Sequence, residues 1–145
     1  MRPSMKVNIG RYKSNRKIKV LIDKYDVCNA DETLAYIILP VLRRLKKDKH
    51  GSPEVSDEDV PDELKIGDFH ARWNWVLDEI IWTFENHIPE NDSESQFWTH
   101  SSKDCKTLRE KLHHMQYDIE GHTAWMNRKQ NGFRLFGVYY QALWT

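Results

Sequence analysis

Hydrophobic and polar residues alternate along two short N-terminal segments, residues 6–12 and residues 17–25. A side-chain period of two is the period of a β-strand. The segments are separated by a short polar linker, residues 13–16, and this arrangement predicts an antiparallel β-hairpin over residues 6–25. Because a two-stranded hairpin is marginally stable alone, we expect helices to cover its apolar face.

The pattern then changes to a helical period. Asn29 is a good N-cap with Glu32 three residues later, which predicts a helix from Ala30 to about Lys49. Pro40 falls inside this helix and should remove one backbone hydrogen bond and kink the axis. The apolar positions that keep the period are Leu34, Ile37, Ile38, Val41, Leu42 and Leu45.

The remaining chain predicts three further helices separated by two loops. Residues 54–68 are rich in carboxylates and indicate an acidic surface loop, and residues 88–103 indicate a polar loop. A wide apolar stripe predicts a helix over residues 69–87, a weaker pattern predicts one over residues 105–117, and the last helix should run from residue 121 or 122 to residue 143. Gly132 and Gly137 within it should let another helix approach closely.

These elements indicate a mainly α protein with a short N-terminal β-hairpin, an α+β fold of about four helices. The 145 residues suit a single domain, with the hairpin at 6–25 and a helical body at 30–145. The 22 basic and 22 acidic residues give zero net charge, which argues against general nucleic-acid binding and against a polybasic membrane binder. No segment is apolar and long enough to span a bilayer and no signal peptide is visible, so we expect a cytoplasmic protein without membrane partners.

No motif in the chain identifies a reaction. Seven histidines include no HExxH pair, and Cys28 and Cys105 have no metal-ligand spacing, so we expect neither a metal nor another cofactor. Glycine-rich phosphate loops and GxSxG nucleophile motifs are also missing from the sequence. Asp78 and Glu85 are the best-placed carboxylate pair for a metal-dependent hydrolase, but surface charge is the default interpretation. Nothing in the sequence argues for an enzyme.

Basic and aromatic side chains are the remaining candidates for a binding site. They are concentrated near residues 46–50, 72–75 and 134–144. Rings stack on a base and cations meet phosphates, so this combination suits a nucleotide. The competing interpretation is that aromatic stripes at helical spacing form core. Both hold if the outer edge of the stripe lines a pocket between subunits of a homo-oligomer. The candidate ligand-binding residues are Lys49, His50, Arg72, Trp75, Arg134, Tyr140 and Trp144.

Six blocks of the sequence resemble a family of small uncharacterised proteins of tailed bacteriophages. The similarity extends from about Lys6 to Trp144, and family members often have Trp-Ser-Met where this chain has Cys28-Asn29-Ala30. Many also have a long insertion between the two N-terminal strands. The resemblance implies a phage accessory protein made in the host bacterial cytoplasm. The blocks are residues 19–26, 31–40, 49–53, 57–61, 72–79 and 131–144.

Two functional hypotheses follow from the sequence. The first is a non-enzymatic phage protein that counters host defence by sequestering an anionic nucleotide signal in a basic, aromatic pocket. The alternative is a protein–protein inhibitor of a host factor, such as a defence protein, or a minor virion component, acting through the acidic loop at 54–68 and exposed aromatic residues.

Overall fold

The computed structural model of the protein describes residues 4–13, 15–91, 93–100, 107–113 and 115–145. It is mainly helical with a short N-terminal two-stranded antiparallel hairpin, which confirms the expected α+β class. A second small antiparallel sheet is present within residues 98–117. The elements are β1 Lys6–Ile9, β2 Ile18–Leu21, α1 Ala30–Asp48, α2 Phe69–Glu85, β3 Trp98–His100, α3 Leu108–His113, β4 Met115–Tyr117 and α4 Ile119–Val138.

Helix α2 lies between α1 and α4 and supplies more of the core residues than any other element. Its apolar residues cover more than one side of the helix, so it can bury surface against two neighbours. Trp73, Val76, Leu77 and Ile80 are completely buried. Phe69, by contrast, is 60% exposed, so the first residue of the predicted stripe lies outside the core.

The contact between α2 and α4 depends on a glycine. A β-carbon added to Gly132 would lie 1.7 Å from Thr83 Oγ1, far inside van der Waals contact. Thr83 is itself fully buried, and its hydroxyl donates to the Glu79 carbonyl at 2.9 Å. The expected close approach of a helix at Gly132 is therefore confirmed, whereas the same expectation for Gly137 is wrong, because open space surrounds it.

Helix α1 begins and ends close to the predicted residues, with Pro40 inside it. Asn29 is the N-cap, but its side chain caps no backbone N–H group; instead its amide donates to the Glu32 carboxylate at 3.4 Å. The expected capping box is thus replaced by a contact between two side chains. Ala35 and Leu39 are buried on the side of α1 that faces the core.

The region between α2 and α4 differs most from expectation. The predicted loop at 88–103 contains β3, and the end of the helix predicted over 105–117 is β4, which pairs with β3 in the register Trp98↔Tyr117 and His100↔Met115. The Trp98 and Tyr117 rings stack with centroids 4.4 Å apart. Because this pairing joins segments far apart in the chain, the local period did not reveal it. Cys105 lies outside the described residues.

The C-terminal helix starts and stops earlier than predicted. Asp118 accepts a hydrogen bond from the Gly121 amide at 2.9 Å and caps α4, which ends at Val138. A short 3₁₀ turn, Tyr140–Ala142, follows. Within the described part of the chain, no helix is both long and apolar enough to cross a bilayer.

The N-terminal hairpin is not covered by the helices. Every residue of β1 and β2 is exposed, so the expectation that helices bury its apolar face is wrong.

Candidate functional site

Two candidate site residues, Arg72 and Arg134, reach the same acidic loop. Arg72 lies in α2 and is 7% exposed. Its guanidinium donates to the Val55 carbonyl at 2.5 Å and to Asp57 Oδ1 at 2.6 Å. A buried guanidinium needs such acceptors, because an unpaired charge in the interior is costly.

Arg134 makes the second connection to this loop from α4. Its Nη2 atom donates to Asp59 Oδ1 at 2.6 Å, and the Tyr139 hydroxyl donates to Asp59 Oδ2 at 2.7 Å. Burial disfavours the charged carboxylate, but the hydrogen bonds from Tyr139 and Arg134 outweigh it, so the pKa of Asp59 lies below its usual value of 3.8. Burial, reinforced by the bond to Asp59, raises the pKa of Tyr139. The Tyr139 hydroxyl also accepts from the Ser56 amide at 3.0 Å.

The acidic loop is therefore partly internal. Val55, Asp59 and Val60 are buried, and the two carboxylates at 57 and 59 are bound by arginines of the same chain. The prediction of a loop that is simply a solvated surface is wrong for these residues. The two guanidiniums reach the same loop, but the anions that they bind there belong to the protein.

The other candidate residues lie elsewhere around the body. Lys49 is the half-buried C-cap of α1, and His50 beside it is exposed. Trp75 is half-buried and packs against the edge of the core. Tyr140 and Trp144 are 62% and 63% exposed. No hydrogen bond or ion pair among the described residues joins Lys49 or His50 to the two arginines.

An apolar groove lies between α1 and the C-terminal segment and has a volume of about 360 Å³. Val41 and Tyr140 on its walls are each 62% exposed. Phe136 and Tyr140 meet edge to face with ring centroids 5.5 Å apart, which holds the C-terminal wall together. The lining residues are Ile37, Ile38, Val41, Leu42, Phe136, Tyr140 and Leu143.

The carboxylates considered for hydrolysis are both engaged in surface ion pairs. Asp78 pairs with Lys46, and Glu85 pairs with Arg43 at 2.9 Å. In the part of the chain that the structure describes, no group of three or more His, Cys, Asp or Glu residues is arranged to hold a metal ion.

A polar cavity of about 270 Å³ also opens on the described surface. It lies where the start of α1, the end of α2, the segment before β3 and the middle of α4 meet. None of the seven candidate residues lines it. The lining residues are Glu32, Asn86, His87, Ile88, Pro89, Ser93, Glu94, Trp125 and Lys129.

Helix α4 supplies a lysine ammonium and an indole N–H group to the polar cavity. Lys129 Nζ lies 4.7 Å from the centroid of the Trp125 ring, a cation–π distance. Burial lowers the pKa of Lys129, against the opposing effect of the carboxylates of Glu94 and Asp31. Trp125 is 8% exposed, and its indole N–H is buried without an acceptor among the described residues. A buried donor without an acceptor costs free energy, so a ligand acceptor here would be stabilised.

His87 on the opposite wall has one satisfied and one unsatisfied nitrogen. Its Nε2 lies 2.7 Å from Asp31 Oδ2, and this hydrogen bond, the largest effect, lowers the pKa of Asp31. Its Nδ1 is buried and has no partner among the described residues. With the Nε2 proton directed at Asp31, Nδ1 accepts a hydrogen bond when the ring is neutral and donates one when the ring is charged. The ring also packs edge to face on Phe133, with centroids 5.2 Å apart, which fixes its orientation.

Sequence reasoning did not identify the polar cavity. One signal was available, because Trp125 and Lys129 are four residues apart and so lie on the same face of α4. The helical period could not show that this face of α4 meets Glu32, which lies in α1, and His87, which follows α2.

Comparison with known proteins adds no family assignment. No protein-family model, curated protein or solved structure matched the chain.

Proposed function

We propose that the protein is a binding protein that captures a small nucleotide in the polar cavity. The observation that carries the proposal is the pair of buried, unpartnered ring nitrogens, Trp125 Nε1 and His87 Nδ1, on lining residues that share the cavity with the partly buried Lys129. Unsatisfied buried polar atoms and a desolvated amine are features of ligand sites.

The side chains that line the polar cavity favour a ligand with an anionic group at one end and hydrogen-bond donors at the other. The Lys129 ammonium and the Trp125 N–H suit an anionic or acceptor group such as a phosphate. Glu32, Glu94 and, when the ring is neutral, Nδ1 of His87 accept hydrogen bonds and suit the amino groups of a base. The volume of about 270 Å³ is small among ligand pockets, which supports a single nucleotide rather than a dinucleotide.

The biological setting remains part of the proposal. The resemblance to tailed-phage proteins supports action in an infected bacterial cell, where capturing a nucleotide signal would blunt a host defence. The site proposed for this capture is the polar cavity. The arginines at 72 and 134 are held by Asp57 and Asp59, so they contribute to the stability of the acidic loop.

Isothermal titration calorimetry with nucleoside monophosphates and cyclic nucleotides tests the proposal. We expect binding by the unchanged protein, at least tenfold weaker binding by Lys129→Met, and weaker binding by Trp125→Phe, which keeps a ring but removes the donor. Arg134→Gln is the matched control outside the cavity and should bind normally. No binding of any of these nucleotides, or a loss caused by the Arg134 change alone, would contradict the proposal.

A second candidate function is supported by the apolar groove. A groove lined by exposed Val41 and Tyr140 suits an apolar side of a partner protein. A pull-down from infected cells should then recover a partner with the unchanged protein and lose it with Val41→Asp, while nucleotide binding is unaffected. Equal recovery with both proteins would exclude the groove as the contact.

A further inference from the structure

The zero net charge conceals a strong separation of charge along the chain. Seven of the 22 basic residues and none of the 22 acidic residues lie in the first 22 positions. The rest of the chain therefore has 15 basic and 22 acidic residues, a net charge of −7. The hairpin is a cationic arm on an anionic body.

The two faces of the hairpin differ in character. Residues paired across an antiparallel hairpin point to the same side, so the pairs Val7↔Val20 and Ile9↔Ile18 form an apolar face. Lys6 and Lys19 lie on the opposite face. Lys17 continues that face, because the Gly10 amide donates to the Lys17 carbonyl at 2.8 Å and extends the register by one pair. Three lysines thus line one side of the ribbon.

The tip of the hairpin combines an exposed ring with cations. Tyr12 is 75% exposed, with Lys13 Nζ 5.8 Å and Arg16 Cζ 5.6 Å from its ring centroid. Arg11 adjoins it in sequence. This is the combination of stackable ring and phosphate-binding cations that nucleic-acid surfaces use.

In the part of the chain that the structure describes, these cations have no anionic partner. Among the described residues, none of the six cations between residues 4 and 22 forms an ion pair, and all six are exposed. Every strand residue is also exposed, so the arm is held by its own ladder and turn rather than by the helices. An isolated ribbon of this kind gains stability when a partner binds it.

We propose that the hairpin arm, residues 4–22, binds the phosphate backbone of duplex DNA. A duplex carries one negative charge for about every 1.7 Å of its axis, which matches a short arm with six exposed cations. A two-stranded ribbon is also narrow enough for the major groove, which is about 12 Å wide. The anionic body would be repelled by the same phosphates, so contact is confined to the arm. The zero net charge of the whole chain therefore does not exclude DNA binding by the arm.

Fluorescence anisotropy with a labelled duplex tests this inference on the full chain. We expect weak, sequence-independent binding at low salt, with a slope of log K against log salt of about −4, corresponding to four or five phosphates. The variant Lys6→Gln/Lys17→Gln/Lys19→Gln should bind at least tenfold more weakly. The matched control Arg44→Gln/Lys47→Gln/Lys65→Gln removes three exposed cations from the body and should bind normally.

Further measurements distinguish DNA from other anionic partners. Polyglutamate binding as tight as duplex binding, or self-association that the hairpin triple variant abolishes, would assign the arm to an acidic protein or to the body of a second copy. Either result overturns the inference, as would tighter binding of single strands or no binding at 50 mM salt. Circular dichroism of the triple variant checks that the helical body is intact, so that a loss of binding is attributed to the arm.

Discussion

The side chains of Thr83 and Arg72 illustrate how single residues determine the packing of this protein. Thr83 occupies the space that a side chain at position 132 would need, so the spacing of α2 and α4 depends on one glycine. Arg72 can be buried because the Val55 carbonyl and Asp57 accept hydrogen bonds from its guanidinium. In both cases the residue tolerates its position only because of specific neighbours.

Replacing Gly132 should therefore destabilise the fold. For Gly132→Ala we expect a loss of about 1–3 kcal/mol in the free energy of unfolding, because the added methyl group overpacks the helix contact. The matched control is Gly137→Ala, whose methyl group meets open space and should be neutral or stabilise α4 by up to about 1 kcal/mol. Urea unfolding at neutral pH measures both, and equal effects would show that helix propensity, not packing, decides the outcome.

Asp59 should make stability depend on acid. Its folded pKa is lowered, so its contribution is complete above the unfolded value near 3.8 and is lost as the pH falls through the lower folded pKa. At pH 7, Asp59→Asn should reduce the free energy of unfolding by about 2–3 kcal/mol, since Arg134 and Tyr139 lose a charged partner.

Urea unfolding at pH 7, 4 and 2.5 tests this dependence. The difference between Asp59→Asn and the unchanged protein should shrink at the lowest pH. Glu63→Gln, an exposed change in the same loop, provides the control. A difference that stays constant with pH would show that the carboxylate charge plays no part.

At the level of elements, the contact between helices α2 and α4 includes a polar pair as well as core residues. Arg128 of α4 donates to both carboxylate oxygens of Glu79 in α2, at 3.0 and 2.8 Å, and its guanidinium lies 3.8 Å from the Trp82 ring centroid. The hydrogen bond to Glu79 raises the pKa of Arg128. A planar guanidinium can make both contacts at once, which an ammonium cannot.

Arg128→Lys should accordingly weaken the α2–α4 joint although it keeps the charge. We expect a loss of about 1 kcal/mol, in line with the loss of one charge-assisted hydrogen bond and of stacking in a half-exposed pair. Thermal unfolding measures it, with Arg44→Lys in α1 as a control that retains a simple i,i+4 pair. Equal melting temperatures for the two variants would contradict the role of the bidentate geometry.

Element prediction succeeded where local sequence carries the information. The apolar stripe of α2 predicted its start at Phe69 and an end within two residues of Glu85. The pair β3 and β4 was missed, because Trp98 and Tyr117 stack across a gap of nearly twenty residues that no local pattern spans. The apolar face of the hairpin was found, but its exposure was not, since exposure depends on where the helices lie.

On the scale of the whole molecule, the basic segment of the chain is also the segment that lies outside the packed helical core. The helical body has its own core around α2, and the cationic hairpin contributes none of the buried core residues. Among the described residues, the hairpin strands make no extensive contact with any helix. The body should therefore hold its structure independently of the arm.

Deleting residues 1–22 should leave the helical body folded. We expect a melting temperature within a few degrees of the full chain, because little buried apolar surface is lost. Differential scanning calorimetry and far-ultraviolet circular dichroism measure this. A drop of more than ten degrees would show that the hairpin does pack on the body, and it would also weaken the inference of a free cationic arm.

The sequence by itself determined the fold class, the central helix, the presence of the N-terminal hairpin and the separation of charge, because these depend on residue types at short, regular spacings. Only the tertiary structure decided that Arg72 and Arg134 bind carboxylates of their own chain. It alone also placed Lys129 beside Glu32 and His87 in one cavity. Such pairings join residues tens of positions apart, and their energy depends on distance, burial and orientation, which exist only once the helices have packed.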